Sequence, residues 1–531
     1  MTSLYKRISS RRVIPDPRVI VSQLSRKPHL LLLTIFLLNG IEFLQTGMIA
    51  FASGPIMGEI GAGPEEFSLI SAAYASVAVL DISQQRWFVE RVGWRRFLQY
   101  SLGIFMIGAV ICGSSQAYGE FLIGRLVMAL GGASFMTSAR IMVNHIHPGP
   151  QRFTGIKAFA VALAAGTAAA PWLASVSVAN DNWSSIFWIV VGASAVVFVL
   201  VTAVFHDESP SSSDSDTSQS HPVLLMLLAS GAFLLLYSLQ RTYYDFYSDG
   251  IPLVLTASVA IVALIYYVSA EHRREAPLIR VRALLNPRYV AGVLLFTCCY
   301  VILGADNYVL PVFLQRTLGY PWQTVGQFQA MGLASALVSW FILARLLPKY
   351  PSPRKFFVIG FGALAAFGWL LSGLTPTANL WSDILPALLL NGVFMMFVMA
   401  NAAIQTFRDV QYDETVFSHA QQAKNMLAQI GLALGISLGT IGQQWRSTVH
   451  YDALARNIHP GNPIYLQAVD HLASQLSAAL GQADAVRVAV ALLAQSLAQQ
   501  ANLLANLDHF SVIAVIGGLG VVVSLSQRLL K

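Results

Sequence analysis

Six ionisable side chains, Glu42, Asp81, Arg125, Arg140, Asp306 and Lys424, stand inside long runs of apolar residues. An ionised group at the centre of a bilayer costs at least about 2.5–3.5 kcal/mol, so such residues face a wet cavity or a partner and carry function. Glu42 is the sharpest case: it lies midway along a run from Leu30 to Ala52, in the stretch NGIEFLQTG (39–47). Asn39 and Thr46 stand at i−3 and i+4, so one helical face carries Asn39, Glu42 and Thr46, a polar stripe suited to a cavity wall. For any carboxyl, burial favours the neutral form and a nearby cation the ionised form. A carboxyl in this setting is therefore equipped to take up a proton and release it when a cation approaches.

The elements that hold these groups follow from composition. The 531 residues are 55% hydrophobic and only 11% charged, with a mean hydropathy of +0.60. Soluble domains have about 25% charged residues, so this surface must face lipid. Apolar stretches long enough to cross about 30 Å of hydrocarbon as helices recur along the chain. The reading is an all-α polytopic membrane protein with fourteen spans: 29–53, 66–85, 97–115, 119–143, 158–178, 184–205, 222–240, 250–270, 289–312, 324–344, 356–374, 382–405, 418–443 and 508–527.

Lys and Arg concentrate in cytoplasmic loops. With the N-terminus inside, 25 of the 33 Lys and Arg fall in inside segments, 5 in outside loops, and Arg125, Arg140 and Lys424 in spans. Both termini are thus expected in the cytoplasm, and the net charge of +7 reflects topology rather than nucleic-acid binding. The three cysteines all fall within spans, which leaves no disulfide framework. The apolar run after the basic leader 1–28 is too long for a signal peptide and no A-x-A site follows it. The acidic, Ser-rich stretch 206–221 reads as a linker.

Depth sorts the charges. Glu42 is 13 residues into an outward-going span, roughly 20 Å from its start, and Arg125 is six residues into an inward-going one, roughly 9 Å from its start. Both reach one level, which predicts a direct or water-linked pair. Asp306, beside Asn307 and Tyr308, is a second proton or cation site, or a carboxylate at the cavity mouth. Asp81 and Arg140, toward the inner ends of their spans, are expected in a salt link with the Glu90–Arg91 turn. Lys424 heads a face with Gln421, Asn425 and Gln429, lining a substrate cavity or snorkelling to the inner interface.

Other chemistries find no motif. The glycines of GFGALAAFG lack a strand–turn–helix setting, and no Gly-Lys-Ser/Thr phosphate loop occurs. His145 and His147 have no Cys or His partners at zinc spacing. An enzyme, a metal site and an organic cofactor are not expected; energy would come from an ion gradient.

Several stretches resemble the major facilitator superfamily and, within it, the fourteen-span drug:proton antiporters. RWFVERVGWRR (86–96) is similar to the signature G-x-x-x-D-R-x-G-R-R, with Glu90 in the Asp place, Arg91, Gly93, Arg95 and Arg96 matching, and Arg86 where the first Gly belongs. GRLVMALGGA resembles R-x-x-Q-G-x-G-G-A through Arg125, Gly131, Gly132 and Ala133. GTAAAPWLAS (166–175) resembles the antiporter motif G-P-x-x-G-P-x-L-G-G through Gly166, Pro171 and Leu173, with Ala170, Ala174 and Ser175 in glycine places. The final outside loop, HYDALARNIHPGNPIYLQA followed by an Ala/Gln/Leu-rich segment and DHF, is similar to the periplasmic loop of EmrB-type exporters.

The resemblance implies a major facilitator fold: a six-helix bundle over 29–205, two extra helices over 222–270, and a second six-helix bundle over 289–527 followed by the tail 528–531. Within the second bundle, loop 446–507 reads as two amphipathic helices separated by Gly481. It implies proton-coupled efflux of amphipathic small molecules across the inner membrane by alternating access. Glu42, Arg125 and Asp306 would couple protons, and Asn39, Thr46, Asn307, Lys424 and Asn425 would line the substrate cavity. Asp81, Glu90, Arg91, Gly93, Arg95, Arg96 and Arg140 would gate. Relatives often carry an Asp at the place of Thr46, so here the carboxylate stands about 6 Å earlier along the helix. Partners would be substrate, protons, lipid and a candidate periplasmic adaptor with an outer-membrane channel. A dedicated metabolite exporter, a proton-coupled importer and a non-transporting receptor are the rivals. Aromatics and one or two acids in the wall favour lipophilic or cationic cargo.

Overall fold

The computed structural model describes residues 28–146, 149–205, 218–350, 352–456 and 458–530. The leader 1–27, His147, linker residues 206–217 and Lys531 lie outside the described residues. The elements are α1 (Pro28–Phe51), α2 (Ser53–Ile60), α3 (Pro64–Ser114), α4 (Tyr118–Gly132), α5 (Phe135–His145), α6 (Pro150–Ala179), α7 (Ser185–Val204), α8 (Pro222–Arg273) and α9 (Val281–Leu284). They continue as α10 (Pro287–Val312), α11 (Trp322–Leu346), α12 (Pro353–Ser372), α13 (Leu385–Phe394), α14 (Asn401–Phe407), α15 (Glu414–Ala455), α16 (Pro463–Leu480) and α17 (Gln482–Ser526).

Local chemistry sets many boundaries. Proline at the first turn, whose missing N–H would be unpaired there anyway, starts α3, α6, α8, α10, α12 and α16. Asn286, Asp413 and Asn462 cap α10, α15 and α16 by accepting first-turn N–H groups.

Among the described residues, thirteen helices are long and apolar enough to cross a membrane. Helix α8 counts as two of these, parting at Asp249. The 51-residue α3, at about 1.5 Å per residue, is more than twice the bilayer's depth and likewise carries two crossings, which brings the total to fourteen. The two arms part at Gly93, with φ +78 and ψ 163. That region is open essentially to glycine alone and costs other residues roughly 1–3 kcal/mol. Gly93→Ala is therefore expected to lower stability by about that amount. A thermal shift of the detergent-solubilised protein measures it; an unchanged melting temperature would deny the turn its strain.

Crossings are held together by small residues, as expected where lipid competes with side chains for apolar contact. A Cβ on Gly108 or Gly131 would meet the facing backbone of α4 or α3 at 2.4 Å, and one on Gly368 would meet Ala514 N at 2.4 Å. Between the helices before residue 205 and those after 287, the main contacts are α3 with α15 and α6 with α11. Helix α8 lies against α3 and α15 alike.

Three crossings are not uninterrupted α-helices. The fourth breaks at Ala133–Ser134, and π-helical segments occupy Phe313–Thr317, Leu380–Ile384 and Met395–Ala400. Such interruptions frequently mark functional sites. Beyond the crossings, Gly481 (φ +75, ψ 159) turns α16 into α17, and the pair is sealed by Val469, Ala473, Ala485 and Ala489. The sequence suggested separate loop helices; instead α17 runs unbroken from the loop through the last crossing. Its loop half, residues 482–507, extends about 39 Å. It is tied to α15 by Arg446 and His450 on Asp508, at 2.6 and 2.7 Å, and by Ser447 on Asn502 at 2.9 Å.

Candidate functional site

Two adjacent cavities lie between the helices before residue 205 and those after 287. We call the side carrying the start of α1 and the Gly93 turn the basic face. A cavity of about 480 Å³ opens there, with exposed Arg408 and Gln411 at its mouth and Phe159, Phe296, Trp340, Met396 and Lys424 in its wall. Deeper lies a pocket of about 60 Å³ lined by Glu42, Thr46, Pro171, Asp306, Asn307, Asn425 and Gln429 among others. Met136 and Tyr300 line both and form the partition.

Glu42 is 6% exposed. The carboxylate accepts from Gln429 Nε2 at 2.9 Å and lies against the backbone N–H of Met136. The expected pair with Arg125 is not formed. Arg125 donates to Gln45 Oε1 at 3.1 Å and stacks over the Tyr74 ring at 4.1 Å. The reason is angular: Gln45 lies three residues on, about 60° round the helix from Glu42, and it is Gln45 that faces α4. Gln45 in turn donates to Thr46 Oγ1 at 3.0 Å and Tyr74 OH at 3.2 Å. The stripe also splits at Asn39, which is fully buried away from the pocket and donates to Phe159 O of α6 at 2.8 Å.

Asp306 lines the central pocket and contacts His509 Nε2 of α17 at 3.1 Å, an ion pair when the histidine is protonated. Sequence reasoning passed over His509; the only signal was its place in DHF, just where the apolar run resumes. His509→Ala would leave a buried carboxylate oxygen without its partner, at a cost of about 1–3 kcal/mol. We expect a lower melting temperature in detergent, restored in part by His509→Gln, which keeps a donor; equal melting of all three forms would sink the pairing.

Lys424 does not snorkel. It is 3% exposed, with Nζ 3.5 Å from Tyr300 OH and within 5.1 and 5.4 Å of the Phe296 and Tyr300 ring centres. The aromatic cage replaces the water that snorkelling would supply. Asn425 beside it donates to Thr137 Oγ1 at 2.5 Å across the two sets of helices.

The expected link of Asp81 and Arg140 to the Glu90–Arg91 turn is absent. Asp81 lies nine residues before Glu90, about 13.5 Å along the helix, and is buried against Ser134 at the break in the fourth crossing. Arg140 lies over Phe417 at 5.4 Å and lines the larger cavity. Glu90 is taken instead by Arg86, four residues back, and by the N–H and hydroxyl of Ser218 at 3.0 and 2.8 Å. Arg91 donates to Ser218 O at 3.3 Å. Arg86, the departure from the motif, also reaches Thr415 O of α15 at 3.4 Å. Gln422 of the same helix donates to Ile82 O at 2.9 Å. Arg95 and exposed Arg96 follow the Gly93 turn.

Facing helices complete the fifth-span motif. A Cβ on Gly166 would stand 2.7 Å from Gly40 O, and Ala170 meets Gly47. Ser175 and the Pro171 carbonyl crowd Gly326 of α11, with Leu173 packed into the core. Where the chain lacks the motif's glycine, its neighbour supplies one. The face opposite the basic one is closed by this contact, by Phe51 edge-on to Trp322 at 5.5 Å, and by Gln240 of α8. Gln240 donates to Ser68 O at 2.7 Å and Ser437 Oγ at 3.0 Å, beside Arg241 on Glu65.

Comparison with known proteins agrees with this architecture. The family model described as Major Facilitator Superfamily matches residues 35–436. The chain is 23% identical over 454 residues to the uncharacterised MFS-type transporter YhcA of Bacillus subtilis, covering 85% of this chain and 83% of that one. It is 20% identical to the probable multidrug resistance protein EmrY of Escherichia coli, covering 83% and 86%. It is 21% identical to the putative multidrug resistance protein MdtD of Salmonella typhi, covering 76% and 85%. Among solved structures, an auto-inhibited POT family peptide transporter superposes with TM-score 0.56 at 15% identity, covering 94% and 97%. A bacterial homologue of the lysosomal transporter Spinster gives 0.54 at 14%, covering 94% and 98%.

Proposed function

This chain belongs to the Major Facilitator Superfamily, and from that premise we propose that it exports amphipathic organic molecules across a bacterial inner membrane in exchange for protons. The observation that carries the reading is Glu42: a buried carboxyl without an ion-pair partner among the described residues, in a pocket separated by Met136 and Tyr300 from a cavity open to one side. The Lys and Arg bias makes the basic face cytoplasmic. In this conformation the cargo enters from the cytoplasm while α6–α11, Phe51–Trp322 and the Gln240 bonds close the outer side. The two six-helix sets, 29–205 and 289–527, would rock about the central pocket so that Glu42 and Asp306 meet water from alternate sides. The projecting α16–α17 hairpin is where a periplasmic adaptor would dock. The multidrug-resistance names of two relatives support efflux rather than uptake.

The direction of coupling is the test. Everted vesicles acidified by respiration should lose internal protons when substrate is added to the outside, and the loss should need the protein. Movement of protons and substrate in the same direction across the vesicle membrane would identify a symporting importer and overturn the reading.

A further inference from the structure

The larger cavity is built for charge of one sign. Its wall carries Lys424, Arg140 and Arg408, and no Asp or Glu among the described residues. Lys424 makes no ion pair there, and its near neighbours are the Phe296 and Tyr300 rings and Met136. Arg140 is likewise without an ion pair among the described residues, and its Nη1 is buried with no hydrogen-bond partner among them. The acid whose field reaches Lys424 is Glu42, beyond the partition. Two cations facing one apolar chamber without counter-charge are costly in a membrane interior. The cost is relieved when something negative enters.

The rest of the wall has no such polarity. Phe159, Trp340, Met396 and Met399 offer flat and deformable apolar surface, while Gln405 and Gln421 offer hydrogen bonds. A ligand that suits this chamber has an aromatic or branched apolar body and one anionic head placed between Lys424 and Arg140.

We propose that the cytoplasm-facing cavity selects amphipathic organic anions, carboxylates or sulfonates, through Lys424 and Arg140. This rests on the exporter reading and reverses the cationic cargo that the acids alone suggested. The acids stay in the deeper pocket for protons. Export of an anion against entry of a proton moves charge of one sense, so an imposed membrane potential drives the exchange, whereas a monocation exchanged for one proton would feel none.

The test compares two probes of one shape and opposite charge, 1-pyrenesulfonate and (1-pyrenylmethyl)trimethylammonium. Binding to the purified full-length protein in nonionic detergent is read by calorimetry and by quenching of tryptophan fluorescence. The sulfonate is expected to bind the tighter of the two, and Lys424→Gln or Arg140→Gln to weaken it roughly 30-fold. Lys424→Arg should largely restore it. Equal affinity for both probes, a preference for the ammonium, or no sulfonate binding overturns the proposal. The wild-type comparison decides even if a variant fails to fold. Transport is scored separately: if sulfonate binds by charge but no proton gradient moves it in everted vesicles, the exporter reading falls and the charge assignment stands. If the ammonium alone is exported, the reverse holds.

Discussion

Glu42→Gln is expected to bring proton-driven efflux down to the level of vesicles lacking the protein, while the protein still inserts and folds. The amide keeps an oxygen to accept from Gln429, so the stability change is on the order of 1 kcal/mol. What it cannot do is exchange a proton. Any residual flux should therefore follow the substrate gradient and ignore an imposed pH difference. The same variant separates two roles left open by the sequence. If Glu42 serves only protons, substrate counterflow at equal pH survives in Glu42→Gln; if it also holds cargo, counterflow disappears too. Wild-type proton-driven efflux by both Glu42→Gln and Glu42→Gln/Asp306→Asn would remove these carboxyls from the mechanism.

The second large effect is expected at Gly326. A Cβ there would stand 2.2 Å from Ser175 Cβ and 2.5 Å from Pro171 O, so Gly326→Ala forces α6 and α11 apart on the outer side. Overpacking of this kind costs about 1–3 kcal/mol, which is roughly 5- to 150-fold in a two-state equilibrium. The protein should spend more of its time open outward. Gln329→Cys, in a background where Cys112, Cys298 and Cys299 are replaced, reports this through labelling by an impermeant maleimide from the periplasmic side. Labelling should quicken with Gly326→Ala and slow again with Gly326→Ala/Ser175→Gly. Unchanged labelling in the single variant would show that the contact does not hold this face shut.

Much of this was legible in the chain. Spans read well because an apolar run of about 20 residues has one outcome in lipid, and Glu42, Thr46, Asp306 and Asn425 do line the central pocket. Angular detail was not legible. Asn39 and Gln45 differ from Glu42 by one small rotation each, and a helical face read from spacing alone is too broad to separate them. Spacing alone could not choose between the two readings of Lys424, because its aromatic cage comes from a distant helix. His509 escaped because its partner stands 203 residues away. Arg86, a flaw when measured against a motif, acquires sense only once Glu90 and Thr415 are seen beside it.

The unbroken course of α17 has a mechanical consequence. A rigid rod pivoting within the bilayer magnifies its own tilt at the free end: over a lever of about 39 Å, a swing of about 10° displaces the tip by about 7 Å. The Arg446, His450 and Asn502 contacts bind α15 to the same rod, so the hairpin swings as a unit. Whatever grips it outside the cell membrane would be rowed back and forth once per turnover.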